Sequence, residues 1–467
     1  MRSGPKAAAA LLALLLLSAC AGEITERGLA DVSAVTEAKV GRKVDWQRDD
    51  AAREMAQARV RALLAQPVDV DAAVELAFLN NRGLQADLAE IGIAAADLAA
   101  ASRPPNPGFS FARTTTGGVR EIERSITGDV LGLFTWPIAA KIEERRFEQA
   151  TWRAAGDVLR KAADTRRAWF RAVAASQVAD YVAQAKEAAE AQAELARRMA
   201  RAGNFSALDQ AREQVFYAET TAALARARLM ADGEKLRLAR LLGLWGEDLG
   251  FKLPPRLPDL PEQPMPGGEL EQKAIAERLD IRRAQKEVAG LADSLGLTHI
   301  TRFVNVLEAS YLRNKEEGSP RETGYEIHIE VPIFDFGSAR VAKAEAVYQQ
   351  GVDRLAEIAI GARTEVRETY AGYRTALDLA RHWRQEIVPV RQRISEEMLL
   401  RYNGMLVSVF ELLSDSRDQI AAVISAIEAQ REFWLAETDL RFALITDTAT
   451  IGAPASPRLA ARAGGGH

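Results

Sequence analysis

The chain has 467 residues, with 61 Lys and Arg against 65 Asp and Glu and a formal charge of −4, so it has no global basic field for nucleic acid. One cysteine and four scattered histidines exclude an intrachain disulfide and a Cys-rich metal site, and they disfavour a His cluster. Aromatics at 6%, against abundant Ala, Leu, Arg and Glu, are the composition of long helices.

From the N-terminus, Arg2 and Lys6 precede an apolar run, Ala7 to Leu17, too short to span a bilayer. The run ends in Leu17-Ser18-Ala19-Cys20, which resembles the bacterial lipobox, whose cysteine is acylated and becomes the mature N-terminus. An ordinary secretory signal cleaved near Ala19 or Ala21 would leave Cys20 incidental, but the lone cysteine stands at the one position a lipobox demands. Ala21 is not the aspartate that retains lipoproteins in the inner membrane. Residues 1–19 are therefore expected to be a lipoprotein signal, and Cys20 a palmitate-bearing anchor in outer-membrane lipid. Residues 20–67 read as a polar periplasmic segment.

The remainder reads as one unit written twice. Each copy begins with a helix, Asp71 to Ala101 and Glu269 to Leu297. Thr135-Trp136-Pro137-Ile138 and Glu330-Val331-Pro332-Ile333 then lead into long helical patterns. Gly203-Asn204-Phe205-Ser206 and Gly404-Met405-Leu406-Val407-Ser408 break those patterns. The offset of about 200 residues is far beyond a solenoid period and implies duplication of a large unit. The repeats are placed at 68–252 and 269–446, with a Pro/Gly-rich linker at 253–268 and a disordered tail at 447–467. Lys141 to Ala200 has no proline, and its roughly 60 residues would extend about 90 Å as a helix. Ala339 to Tyr402 is interrupted only by Pro389, and patterns this long suggest a coiled coil.

Between the helices lie strand candidates. Thr323 to Val331 alternates, with Tyr325, Ile327, Ile329 and Val331 on one face and Glu326, His328 and Glu330 on the other. Asn305 to Leu312 is its partner across a loop at Arg313 to Glu322. In the first copy the strands are Pro107 to Ala112 and Ile126 to Trp136, with Gly117 to Arg124 as the loop. Lengths of about 8–11 residues suit a tilted transmembrane strand, and the alternation fits a lipid-facing barrel wall. It also fits a soluble sheet with one wet face. The signal and the long helices favour the membrane. Four strands cannot close a barrel, whereas three chains would supply twelve.

Two repeats of helix, β-hairpin, long helix, Gly-x-x-Ser turn and helix resemble the TolC-like outer-membrane efflux proteins over Val68 to Ile445. Val74 to Leu84, with Asn80-Asn81, is similar to the family's opening helix and its Asn-rich step. Pro332-Ile333-Phe334-Asp335-Phe336-Gly337 is similar to its Pro-hydrophobic-Phe-Asp-x-Gly passage. Gly203-x-x-Ser206-x-x-Asp209 and Leu241-Leu242-Gly243 match its turn and its closing motif. The first copy lacks Phe-Asp-x-Gly after Ile138, and the second has one residue inserted between Gly404 and Ser408. The resemblance implies a mainly α chain with a transmembrane β part. It also implies a homotrimer whose twelve-stranded β-barrel continues as a long α-helical barrel, a periplasmic membrane-fusion adaptor and an inner-membrane pump. The expected function is efflux of small molecules such as drugs or metals, without cofactor or catalysis. A duct for type I protein secretion keeps the same fold, and a lipid-tethered coiled-coil scaffold is the structural alternative.

The resemblance makes Gly203, Ser206, Gly404 and Ser408 candidates for an adaptor-docking tip, although helix capping explains the same residues. Asp209, Glu411 and Asp415 are candidates for a carboxylate ring at the periplasmic gate; first-turn acids favoured by the helix dipole are the alternative. Trp434, Phe433 and Phe442 read as packing.

Overall fold

The structure, a computed structural model, describes residues 20–304, 306–330 and 336–447. The expected signal, Val331, the passage Pro332 to Asp335 and the tail beyond Asp447 lie outside the described residues. The chain divides into two units. The first comprises Met1–Arg166, Leu236–Leu253 and Leu279–Ile360, and the second Arg167–Lys235, Pro254–Arg278 and Gly361–His467.

In the first unit, the segment expected only to be polar is helical: α1 (Cys20–Val40) and α2 (Asp50–Leu64). The Asp49 carboxylate caps α2, accepting from the Ala52 amide at 2.7 Å. The opening helix of the repeat is two helices, α3 (Val70–Asn80) and α4 (Arg82–Ala101), broken at Asn81. Strands β1 (Gly108–Thr116) and β2 (Val119–Asp129) follow, then α5 (Val130–Arg201) and α6 (Ala207–Leu242), whose residues 167–235 are assigned to the second unit. Leu88, Ile91, Val158 and Leu238 are wholly shielded from solvent and anchor this unit's core.

The expectation that Ile126 to Trp136 is a strand is corrected: β2 ends at Asp129. The Asp129 carboxylate accepts from the Gly132 amide at 2.7 Å and starts α5, which runs through Pro137. The expected loop at Gly117 to Arg124 shrinks to Gly117-Gly118, both at positive φ, so β1 is longer than the alternation suggested and β2 starts and ends earlier in the chain.

The second repeat starts with α7 (Leu270–Glu277) and α8 (Leu279–Ile300), broken at Arg278 as the first copy is at Asn81. Strands β3 (Leu307–Glu316) and β4 (Glu322–Ile329) belong to the first unit, and their loop is 317–321. After α9 (Ser338–His382) comes one π-helical turn, Trp383–Ile387, before α10 (Val388–Asn403) and α11 (Val409–Ala443). Pro389 lacks an amide hydrogen and would clash with a carbonyl one turn back; the wider turn just before it relieves that conflict.

In the second unit, Tyr373, Leu377, Phe433 and Leu440 form a buried cluster. The Phe433 and Trp434 rings meet edge-on at 5.0 Å, and Phe170 stacks on Trp434 at 5.3 Å, which gives these aromatics a packing role. The Pro/Gly-rich linker is pinned in this unit. Trp434 Nε1 donates to the Pro258 carbonyl (3.1 Å), and Arg381 donates to the carbonyls of Pro261 and Glu262 (2.8 and 2.7 Å).

Candidate functional site

The four strands form one antiparallel sheet in chain order, β1-β2-β3-β4, so β2 against β3 joins the two repeats and β1 and β4 are its edges. The register sorts side chains onto two faces. Tyr325, Ile327 and Ile329 pair with Tyr311, Ala309 and Leu307. Tyr311 pairs onward with Ile126, and Ile126 with Phe109. This apolar face is open: Tyr325 is 84% exposed, Ile327 59% and Ile329 52%. Glu326 and His328 lie on the opposite face, paired with Ser310 and Glu308. There Ser110 meets Ser125 and Thr127 meets Ser310 through hydroxyl hydrogen bonds of 2.8 and 2.7 Å. Glu330 lies just past the strand, its amide donating to the Val306 carbonyl at 3.3 Å.

Charge is segregated with the same strictness. Glu121, Glu123, Glu308, Glu316, Glu322 and Glu326 share the polar face with Asp129 and with no Lys or Arg. Every Lys and Arg of the strands stands on the apolar face. Along β3 the polar-face residues Ser310, Leu312 and Asn314 are partly sheltered, whereas Ala309, Tyr311, Arg313 and Lys315 are exposed. Along β3 the carboxylate-bearing side is thus the more enclosed of the two.

The second site is the pair of helix-turn-helix tips, both in the second unit. Gly203 has φ +79°, with the Asn204 amide donating to the Met199 carbonyl and the Gly203 amide to Ala200 (2.9 and 3.0 Å), a Schellman C-cap. Ser206 then caps α6: its Oγ accepts from the Asp209 amide at 3.0 Å. In the second copy the Leu406 amide donates to Arg401 and the Met405 amide to Tyr402, both at 2.9 Å. The left-handed residue is therefore Met405 (φ +58°), while Gly404 has φ −81°. The expected equivalence of Gly404 with Gly203 is corrected. Counted from Met405, Ser408 falls at the same spacing as Ser206 from Gly203, and the apparent insertion lies within the helix end.

The gate candidates all have local partners. The Asp209 carboxylate accepts from Ser206 Oγ (2.7 Å) and pairs with Arg212 (3.1 Å). Glu411 closes a capping box with Ser408, whose backbone N–H and hydroxyl hold its carboxyl below the usual range. Asp415 is buried and accepts from Ser395 Oγ at 2.5 Å. An unexpected neighbour is Glu213, one turn after Asp209. Burial raises its carboxyl pKa, and the nearby Asp209 adds to the rise. Its i+4 spacing from Asp209 was the available signal. The tips also expose Met405 (94%) and Leu406 (77%).

No family model matches the chain. Protein CyaE of Bordetella pertussis is 28% identical over 340 residues, covering 65% of this chain and 69% of that protein. The outer-membrane channel CmeC of Campylobacter jejuni superposes with a TM-score of 0.72 at 16% identity, covering 80% of this chain and 85% of CmeC. CusC, described through the conformational changes that accompany folding and transmembrane channel formation, gives 0.70 at 17% identity over 82% and 93%. The chain has the fold of the TolC-like outer-membrane efflux channels. Within that channel fold, hydrogen bonds now join two sequence motifs. Asn81 Nδ2 donates to the Leu241 carbonyl (2.8 Å) and Asn80 Nδ2 to Gly243 (2.7 Å), so the Asn-rich step holds the closing Leu-Leu-Gly. Among the described residues no helix is long and apolar enough to cross a membrane.

Proposed function

We propose that the chain is one subunit of an outer-membrane channel in a tripartite efflux system, passing small molecules from the periplasm to the outside. The observation that carries this reading is a four-stranded sheet with two free edges, one exposed apolar face and one carboxylate-bearing face. A free strand edge leaves backbone donors and acceptors unpaired, which hydrocarbon does not tolerate. Three copies joined β4 to β1 close twelve strands and remove every edge. Tyr325, Ile327 and Ile329 then face lipid, and Glu326, His328 and Glu330 face a water-filled lumen. The α-helical part continues the duct through the periplasm. Cys20, heading α1, carries the lipid anchor.

The work is conduction rather than catalysis, so the chain acts by shape and charge. Gly203, Ser206, Gly404 and Ser408 mark the tip where a periplasmic membrane-fusion adaptor docks, with Met405 and Leu406 as its apolar contacts. An inner-membrane pump feeds the duct. Asp209 and Glu411 supply the gate's negative charge, and Asp415 joins them only when its bond to Ser395 opens.

The test is insertion and conductance of the purified chain in planar bilayers, comparing Ile329→Arg with His328→Arg. A cation on the lipid face costs about 2–4 kcal/mol at mid-membrane and far less in a wet lumen. Ile329→Arg is expected to abolish trimers and channels while His328→Arg keeps both. Equal tolerance of the two, or a wild-type chain that forms no channel, contradicts the proposal.

A further inference from the structure

The apolar face of the sheet carries cations for which a duct alone has no use. Arg113, Arg120, Arg124, Arg313 and Lys315 all project from it, in the half of the strands next to the hairpin turns. Arg124 and Arg313 are direct partners across β2 and β3, and Arg113 and Lys315 flank Ile122 on its two sides. Like charges placed opposite each other destabilise a sheet. Strands lie about 4.8 Å apart, which puts Arg113 and Lys315 about 10 Å from each other. The carboxylates that could neutralise them, Glu121 and Glu123 among them, occur in the same strands on the opposite face. Among the described residues none of the five forms an ion pair with a carboxylate of this chain. Arg124 lies over the Phe111 ring at 5.9 Å. Phe109, Phe111, Ile126, Tyr311 and Tyr325 continue the same face away from the turns.

We propose that this basic patch binds the phosphate groups of outer-leaflet membrane lipid, with the apolar residues below it covered by the same lipid's acyl chains. The inference rests on the reading that this face meets the bilayer. A guanidinium offers a planar fork that grips phosphate through two hydrogen bonds, and two such forks side by side need an anion between them. Apolar surface running directly into cations, with no acid on the face, matches a molecule that is acyl chain at one end and phosphate at the other. It does not match a protein partner or water. The patch also sets polarity, since it places the Gly117-Gly118 and 317–321 turns at the headgroup level of the outer leaflet.

The experiment uses the purified full chain in phosphatidylcholine nanodiscs, titrated with fluorescent bis-phosphorylated lipid A and with the same lipid dephosphorylated. The wild type is expected to retain the phosphorylated form preferentially. Arg124→Gln/Arg313→Gln is expected to weaken that retention about tenfold, with Arg124→Lys/Arg313→Lys recovering most of it. Inorganic phosphate at millimolar concentration is expected to leave the lipid in place. Equal retention of both lipids, or a Gln variant that binds as the wild type does, overturns the inference. So does displacement by inorganic phosphate, which would mark a free-anion site. Each sample is also scored for trimers and bilayer conductance. Insertion and conductance without lipid preference removes this inference alone, and a wild type that fails to insert removes the channel reading with it.

Discussion

In the first repeat, Asn80 and Asn81 reach the end of α6 through neutral amide bonds, and Gly243 at φ +69° allows the close approach. A Cβ on Gly243 would stand 2.5 Å from the Asn80 carbonyl oxygen. At the corresponding break of the second repeat stands Arg278, 1% exposed, donating from Nη1 to Glu365 (2.7 Å) and to the Ala443 carbonyl near the end of α11 (2.8 Å). The tips diverge in the same way: glycine takes the left-handed position in one copy and methionine in the other. Backbone geometry is alike at the two tips while the residues that adopt it differ. Each copy meets the same demand, to hold a helix end or reverse a chain, with different chemistry.

The largest expected difference between the repeats is at these closures. Arg278→Ala leaves the Glu365 carboxylate beside an empty, buried space and orphans a carbonyl, at a cost of about 3 kcal/mol. Asn81→Ala removes a cap to the Leu84 amide and one amide bond, at a cost of about 2 kcal/mol. Unfolding midpoints of the two detergent-purified variants check the order. An Asn81 variant that loses more than the Arg278 variant breaks the comparison.

A smaller effect separates the tips. Gly203→Ala forces a Cβ into left-handed backbone and is expected to cost about 1 kcal/mol, while Gly404→Ala costs almost nothing. Met405→Gly is expected to gain about 0.5–1 kcal/mol. Amide exchange at each tip reads these changes, about fivefold faster for Gly203→Ala and slower for Met405→Gly. Faster exchange in Gly404→Ala than in Gly203→Ala would restore Gly404 as the turning residue.

The smallest effect is electrostatic and belongs to the first tip. Glu213 has a raised carboxyl pKa in the folded chain, so the fold binds its proton more tightly than the unfolded chain does. Its contribution to stability is present below the unfolded pKa and is lost as pH rises through the raised one. Glu213→Gln is expected to flatten the pH dependence of exchange around 199–213 and to slow exchange at neutral pH. An unchanged pH profile contradicts the assignment.

Much of this was legible in the residues. The alternation of Tyr325 to Ile329 and the glycine at 203 both carry direct periodic or conformational signals. The limits of the first hairpin were not, because apolar Val130, Phe134 and Trp136 continue the strand's alternation past Asp129. The cap that Asp129 provides to Gly132 outweighs that pattern. Met405 was hidden because a left-handed methionine has no sequence signature, and Gly404 beside it drew the assignment. The charge segregation of the sheet was hidden because it emerges only when the register places Arg124 beside Arg313.

The central claim is that the sheet's two faces meet lipid and water respectively. Single nitroxide labels at positions 325 to 329 of the chain in outer-membrane vesicles test it directly. The account predicts a period of two. Labels at Tyr325, Ile327 and Ile329 collide with oxygen dissolved in lipid, and labels at Glu326 and His328 with a water-soluble nickel chelate. Uniform access of the chelate to all five positions would contradict it and make the sheet a soluble one.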